Sequence, residues 1–259
     1  MSGQLATALR TAPAPRLVPY VTGGITANWT DYLLAYQDSG ADAVEVGLPF
    51  SDPMLDGATL QQASDRALAR GTRLDGVLAD LAAVRDRLTV PVVVMTYANP
   101  VVRLGVVEFC RRLAEAGASG LIVPDVPVDE LGSLESVAAV AGIDLVLLAA
   151  PSTSAGRLRE ICARSRGFVY AVSTMGVTGE RTALDDGALT LASRAREASD
   201  LPVLLGFGVS TPAQAARACR AADGVVVASA LMRKVLEGAG PDRLARIVAD
   251  FRAAMDRAA

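Results

Sequence analysis

The sequence predicts an α/β protein built as a single (β/α)8 (TIM) barrel over residues 1–259. Three observations lead there. Short apolar runs recur along the chain, and helix-forming stretches separate them in strict alternation. The runs lack the polar alternation of a half-exposed strand, which suits strands covered on both faces, as in a parallel sheet. No Gly-x-Gly-x-x-Gly follows the first run, which disfavours a doubly wound open sheet.

The chain opens with an extra amphipathic helix, Met1–Arg10, and then the strand Leu17–Val21. Helix Asn28–Ser39 leads to strand Ala43–Val46, and helices Thr59–Arg70 and Leu74–Arg87 lead to strand Val92–Met95. Next come helix Val106–Ala116, strand Gly120–Val123, helix Asp129–Val140, strand Asp144–Leu148 and helix Ser154–Ser165. Strand Phe168–Val172, helix Leu189–Ala198, strand Val203–Phe207, helix Thr211–Ala221 and strand Gly224–Val227 complete the barrel. A short helix, Ala230–Leu236, and the closing helix Pro241–Arg257 follow. Local chemistry supports several boundaries. Ser210-Thr211-Pro212 places a hydroxyl cap before a first-turn proline, and Ser39-Gly40 and Ala116-Gly117 read as helix stops.

Hydrophobic residues make up 51% of the chain, enough for a large aliphatic core. The net charge of −3 gives no reason to expect nucleic acid or an anionic membrane as partner. No apolar run approaches the roughly 20 residues of a membrane span, and the N-terminus lacks the apolar core of a signal peptide. A soluble, cytoplasmic protein is expected. Cys110, Cys162 and Cys219 lie far apart without metal-ligand spacing and read as structural thiols, so no metal site is expected. There is no histidine and one lysine, Lys234. Histidine-based triads and metal sites are thereby removed, and acid–base chemistry falls to Asp, Glu, Tyr or water.

In such a barrel the chemistry sits where strands end and the following loops begin. The most unusual of these places is Val44-Glu45-Val46-Gly47-Leu48-Pro49-Phe50-Ser51-Asp52-Pro53-Met54-Leu55-Asp56-Gly57. Strand alternation sends Ala43, Glu45 and Gly47 inward, away from Val44 and Val46. A buried carboxylate is costly unless it is paired or kept for chemistry. On spacing alone, Asp56 reads first as a cap for the helix beginning near Thr59, and an alternative makes Glu45 the partner of a structural arginine. Further along the rim, Gly179, Gly208 and the Ala228-Ser229 turn fall on the loops after strands six, seven and eight, a common place to hold a phosphate. The Gly-rich stretch from Gly176 to Ala188 reads as a lid.

Together these stretches resemble the tryptophan synthase α family. The resemblance rests on Glu45 to Gly57, Tyr97-Ala98-Asn99-Pro100, Pro124-Asp125-Val126-Pro127, Tyr170, Gly176-Val177-Thr178-Gly179 and Gly206-Phe207-Gly208. It implies a lyase cleaving indole-3-glycerol phosphate to indole and glyceraldehyde 3-phosphate, as the α subunit of an α2β2 assembly in tryptophan biosynthesis. It further implies that Glu45, Asp56 and Tyr170 are catalytic, and that Thr178 on the lid contacts Asp56. Tyr20, Met95 and Phe207 would line the indole pocket, and Gly179, Gly208, Ala228 and Ser229 the phosphate site. Asp52, Pro53, Asn99 and Pro127 would face the β subunit. No cofactor is implied for this chain, since pyridoxal phosphate belongs to the β partner. Two positions depart from the family pattern. Ala228 replaces a glycine, bringing a methyl group to the phosphate corner, and Ala58 replaces a proline after Asp56-Gly57. They leave room for two other readings, a stand-alone lyase releasing free indole and a silent barrel that binds phosphate or activates a partner.

The chemistry fits the residue inventory. A retro-aldol cleavage needs an electron sink, and with one remote lysine and no histidine the substrate must supply it. Indole does so once C3 is protonated. Glu45, inward and desolvated, suits the acid, and Asp56, on a loop expected to be more exposed, suits an ionised acceptor for the ring N–H.

Overall fold

The computed structural model describes residues 3–172, 186–206 and 208–258. Eight parallel strands close into a barrel in sequence order: β1 (Arg16–Thr22), β2 (Val44–Gly47), β3 (Val92–Met95), β4 (Ala118–Ile122), β5 (Asp144–Ala149), β6 (Val169–Val172), β7 (Val203–Gly206) and β8 (Gly224–Val227). Their central residues are buried throughout, as continuous apolar runs require. Around them lie α1 (Gln4–Thr11), α2 (Trp29–Asp38), α3 (Ala58–Ala69), α4 (Leu74–Val84), α5 (Ala98–Leu104), α6 (Val106–Glu115) and α7 (Leu134–Val140). The series continues with α8 (Ala155–Arg164), α9 (Asp186–Ala198), α10 (Pro212–Ala218), α11 (Ser229–Leu236) and α12 (Pro241–Asp256).

Alternation along the strands makes two cores. Val44, Val46, Val92, Val94, Leu145 and Leu147 point outward and pack under the helices. Ala43, Val93, Met95, Val146, Tyr170 and Leu204 fill the barrel interior. Leu5 and Leu9 of α1 join that inner cluster, so the extra helix plugs the floor. Asp144, at the start of β5, accepts a hydrogen bond from the Ala6 N–H at 2.9 Å and so anchors the first turn of α1. Among the described residues the bottom of the interior is therefore closed by Leu5 and Leu9. No helix among the described residues is long and apolar enough to cross a membrane.

Two local expectations change. The stretch Tyr97-Ala98-Asn99-Pro100 was expected as loop, but α5 begins at Ala98. Its Pro100 sits in the first turn, where a missing N–H breaks no helical bond. In the expected helix 129–140, a short 3-10 turn, Val128–Glu130, is followed by the shorter α7.

Candidate active site

Glu45 is inward-facing on β2 and 1% exposed. In register it sits between Tyr20 on β1 and Val93 on β3. None of the ion pairs found among the described residues includes it, and its Oε2 has no hydrogen-bond partner. Among the described residues Glu45 is thus not half of a structural ion pair. Burial, reinforced by the nearby Asp56 carboxylate, pushes its carboxyl from the ordinary 4.5 up to about 8.

Asp56 reaches the same interior from the loop after β2. Its backbone N–H bonds the Pro53 carbonyl at 3.0 Å, turning the chain back over the barrel mouth. Its carbonyl accepts from Gln61 Nε2 at 2.7 Å, which ties the turn to α3. The cap of α3 is Gly57, with no side-chain cap, so Asp56 is not spent as a helix cap. The expectation of a more exposed Asp56 is overturned: it is 4% exposed, because the loop folds inward over the rim. Burial raises its carboxyl from 3.8 to about 6, and a hydrogen bond from the Tyr97 hydroxyl opposes the rise. At neutral pH Glu45 is therefore protonated and Asp56 ionised.

Two tyrosines complete the cluster. Tyr170 on β6 lies across Gly206 of the neighbouring strand, where an added Cβ would stand 2.0 Å from its Cε2 and 2.3 Å from its hydroxyl oxygen. Tyr20 lies across Gly47 in the same way, its hydroxyl 1.8 Å from an added Cβ. The glycines at these inward positions make the space the rings occupy. Both phenols feel the charges of Glu45 and Asp56, and burial first, then those charges, keeps them protonated. Beside them a cavity of about 280 Å³ opens at the rim, walled by Met95, Val123, Leu148, Ala149 and Val172 with Asp56 at its edge. Of these wall residues only Met95 was anticipated. Leu148 is paired in register with Tyr170 and stands at an inward rim position, the one sequence signal that could have marked it.

Gly208, in the loop after β7, has φ +89°, a conformation that favours glycine. Helix α11 begins at Ser229, with Ala228 as its N-cap at φ −115°, so Ser229 lies one position further into the helix than expected. Ala228 carries no left-handed strain, and the first N–H groups of α11 remain available at this corner. Thr178, Gly179 and Phe207 lie outside the described residues. Asp52, Asn99 and Pro127 are exposed and Pro53 half-buried, on the loops after β2, β3 and β4 and at the start of α5. Met54 and Val102, each 71% exposed, add apolar surface to this side of the rim. Among the described residues no group of three or more His, Cys, Asp or Glu side chains is arranged to hold a metal.

Comparison with known proteins gives the family and the fold. A family model described as tryptophan synthase alpha chain matches residues 7–257. The tryptophan synthase alpha chain of Synechococcus elongatus is 43% identical over 254 residues, covering 96% of this chain and 95% of that protein. That of Carboxydothermus hydrogenoformans is 44% identical over 233 residues, covering 89% and 87%. A solved structure of Mycobacterium tuberculosis tryptophan synthase superposes with a TM-score of 0.90 at 38% identity, covering 98% of this chain and 99% of that one. A structure of the α2β2 tryptophan synthase complex from Pyrococcus furiosus gives 0.86 at 36% identity, covering 93% and 98%.

Proposed function

The chain belongs to the tryptophan synthase alpha chain family, and from that membership we propose how its own residues carry the reaction. It is a lyase that cleaves indole-3-glycerol phosphate to indole and glyceraldehyde 3-phosphate. The whole chain, residues 1–259, acts as one barrel domain in the cytoplasm. The observation that carries the assignment of roles is the split between two neighbouring carboxyls, Glu45 pushed to about 8 and Asp56 to about 6.

Protonated Glu45 delivers its proton to indole C3. Ionised Asp56 holds the ring N–H and stabilises the positive charge that develops on nitrogen. Glu45, now a carboxylate, removes the proton from the glycerol hydroxyl next to the ring. The C–C bond breaks, its electrons return through the ring to nitrogen, and indole and the aldehyde separate. Glu45 ends the cycle with the proton it began with, and the substrate serves as its own electron sink, so no cofactor is needed in this chain. Tyr170, held over Gly206, packs beside the reacting carbon as a neutral phenol.

The aromatic ring occupies the cavity bounded by Met95, Leu148 and Val172, and the family resemblance adds Tyr20 and Phe207 as its pocket residues. The phosphate binds at Gly179, Gly208, Ala228 and Ser229, and Thr178 is the residue that the family resemblance assigns to contact with Asp56. The φ of Ala228 supports its tolerance there, since the N–H donors survive the added methyl group. Asp52, Pro53, Asn99 and Pro127 form the docking rim for a β subunit in an α2β2 assembly, and pyridoxal phosphate resides in that partner.

An indole-release assay tests the roles. Glu45→Gln and Asp56→Asn each lower kcat by on the order of 10² to 10⁴, the range of a lost acid–base group. Either variant turning over at the wild-type rate overturns the assignment.

A further inference from the structure

A buried methionine keys helix α11 to strand β1, and the reason begins with the direction of the β1 amides. Successive N–H groups of a strand point to opposite neighbours. The Arg16 N–H bonds the carbonyl of Asp223, just before β8, and the Gly23 N–H bonds the Gly47 carbonyl of β2, each at 2.9 Å. Thr22 lies an even number of residues on from Arg16, so its N–H faces the β8 side. The ladder has ended there: pairing of β1 with β8 runs to Pro19 and Val227, and the chain then turns into α11. The Thr22 N–H instead bonds the thioether sulfur of Met232 at 3.4 Å. Both residues are 0% exposed. Sulfur is a weak acceptor, but a buried N–H left with no partner costs more than a weak bond returns.

The same methionine is tied through its backbone. Its N–H and that of Leu231 both donate to the carbonyl of Ala228, the N-cap of α11, at 3.0 Å. Ser229 lies three positions before Met232 and so shares its face of the helix. Holding Met232 against β1 therefore fixes the rotation of α11 about its axis, and with it the direction of the first N–H groups. The far end is held separately. Arg66 of α3 donates to the carbonyls of Val235 at 3.2 Å and Leu236 at 2.9 Å, placing a cation at the helix C-terminus. Thr22 also reaches the aromatic pocket, since its hydroxyl donates to the Tyr20 hydroxyl at 3.3 Å. We infer that Met232 is the positioning residue of the phosphate corner, its sulfur setting, through the Thr22 N–H, the turn of α11 that aims the first helical N–H groups. The inference rests on the proposed phosphate site at Ser229 and its neighbours. A phosphate held by backbone N–H groups meets no long side chain that can adapt to it, so the helix must already point the right way. The demand is tighter in this chain because Ala228 brings a methyl group to the same corner.

The test is Met232→Leu, which conserves volume and apolar character and removes the acceptor. Binding of glycerol 3-phosphate is followed by the amide NMR shifts of Ser229 and Ala230, and KM and kcat for indole-3-glycerol phosphate are measured beside it. The expected result is an affinity for glycerol 3-phosphate weaker by on the order of fivefold to tenfold, the cost of lost preorganisation. KM for the substrate rises alike, and kcat falls less than KM rises. Affinity for indole, which carries no phosphate, stays at the wild-type value. The Thr22 amide exchanges its hydrogen on the order of tenfold faster in the variant. An unchanged affinity for glycerol 3-phosphate in Met232→Leu overturns the inference, as does a Thr22 amide that in wild type exchanges as freely as those of the surface loops. An equal loss of affinity for indole marks a general loosening of the fold and overturns it as well. Ser229 and Ala230 amides that do not respond to glycerol 3-phosphate in wild type overturn instead the phosphate site on which the inference rests.

Discussion

Glu45 illustrates what a working site demands of a single residue. It is buried, has no ion-pair partner among the described residues, and keeps its proton to about pH 8. Between the ordinary value of 4.5 and about 8, the folded chain holds a proton that the unfolded chain has released. Stability therefore falls as pH rises through that window, and the full penalty is present above it. Glutamine never ionises. Glu45→Gln is thus expected to gain thermal stability relative to wild type as pH is raised from 4.5 to 8, while losing activity. Thermal unfolding of both proteins across that range checks it, and a stability difference independent of pH contradicts it. The inward position of Glu45 was legible, since period-two alternation on a buried strand fixes which side it faces. The burial of Asp56 was not. It depends on Phe50 and Tyr97 packing over the loop, contacts between residues far apart in sequence.

At the scale of elements, strand limits were read to within a residue or two because continuous apolar runs have sharp ends. The start of α5 escaped notice because Asn99-Pro100 reads locally as a turn. Its cap, Asp125, comes from the next βα loop, 27 residues on. The pairing of neighbouring strands also carries the site, through glycines that make way for tyrosines. Gly206→Ala would set a methyl group 2.0 Å from the Tyr170 ring, so the ring must leave its place. The expected outcome is a fall in kcat on the order of 10- to 100-fold, with substrate binding less affected. Steady-state kinetics checks this, and an unchanged kcat contradicts it. In the sequence Gly206 stands out only as part of Gly206-Phe207-Gly208. Its contact with Tyr170 appears once β6 and β7 are adjacent.

At the scale of the whole molecule, the floor is plugged, and the opposite rim carries both the reactive cluster and the apolar residues Met54 and Val102. Such exposed side chains beside prolines suit a partner face. Met54→Asp is expected to weaken association with a tryptophan synthase β subunit on the order of tenfold, with the turnover of the isolated chain unchanged. Titration calorimetry with both chains checks the first part, and equal affinities contradict it. The central claim is the division of protonation between Glu45 and Asp56, and the pH dependence of kcat/KM for indole-3-glycerol phosphate cleavage tests it most directly. The prediction is a bell that rises near pH 6 as Asp56 ionises and falls near pH 8 as Glu45 loses its proton. A profile flat from pH 5 to 9, or one that keeps rising above pH 8, contradicts it.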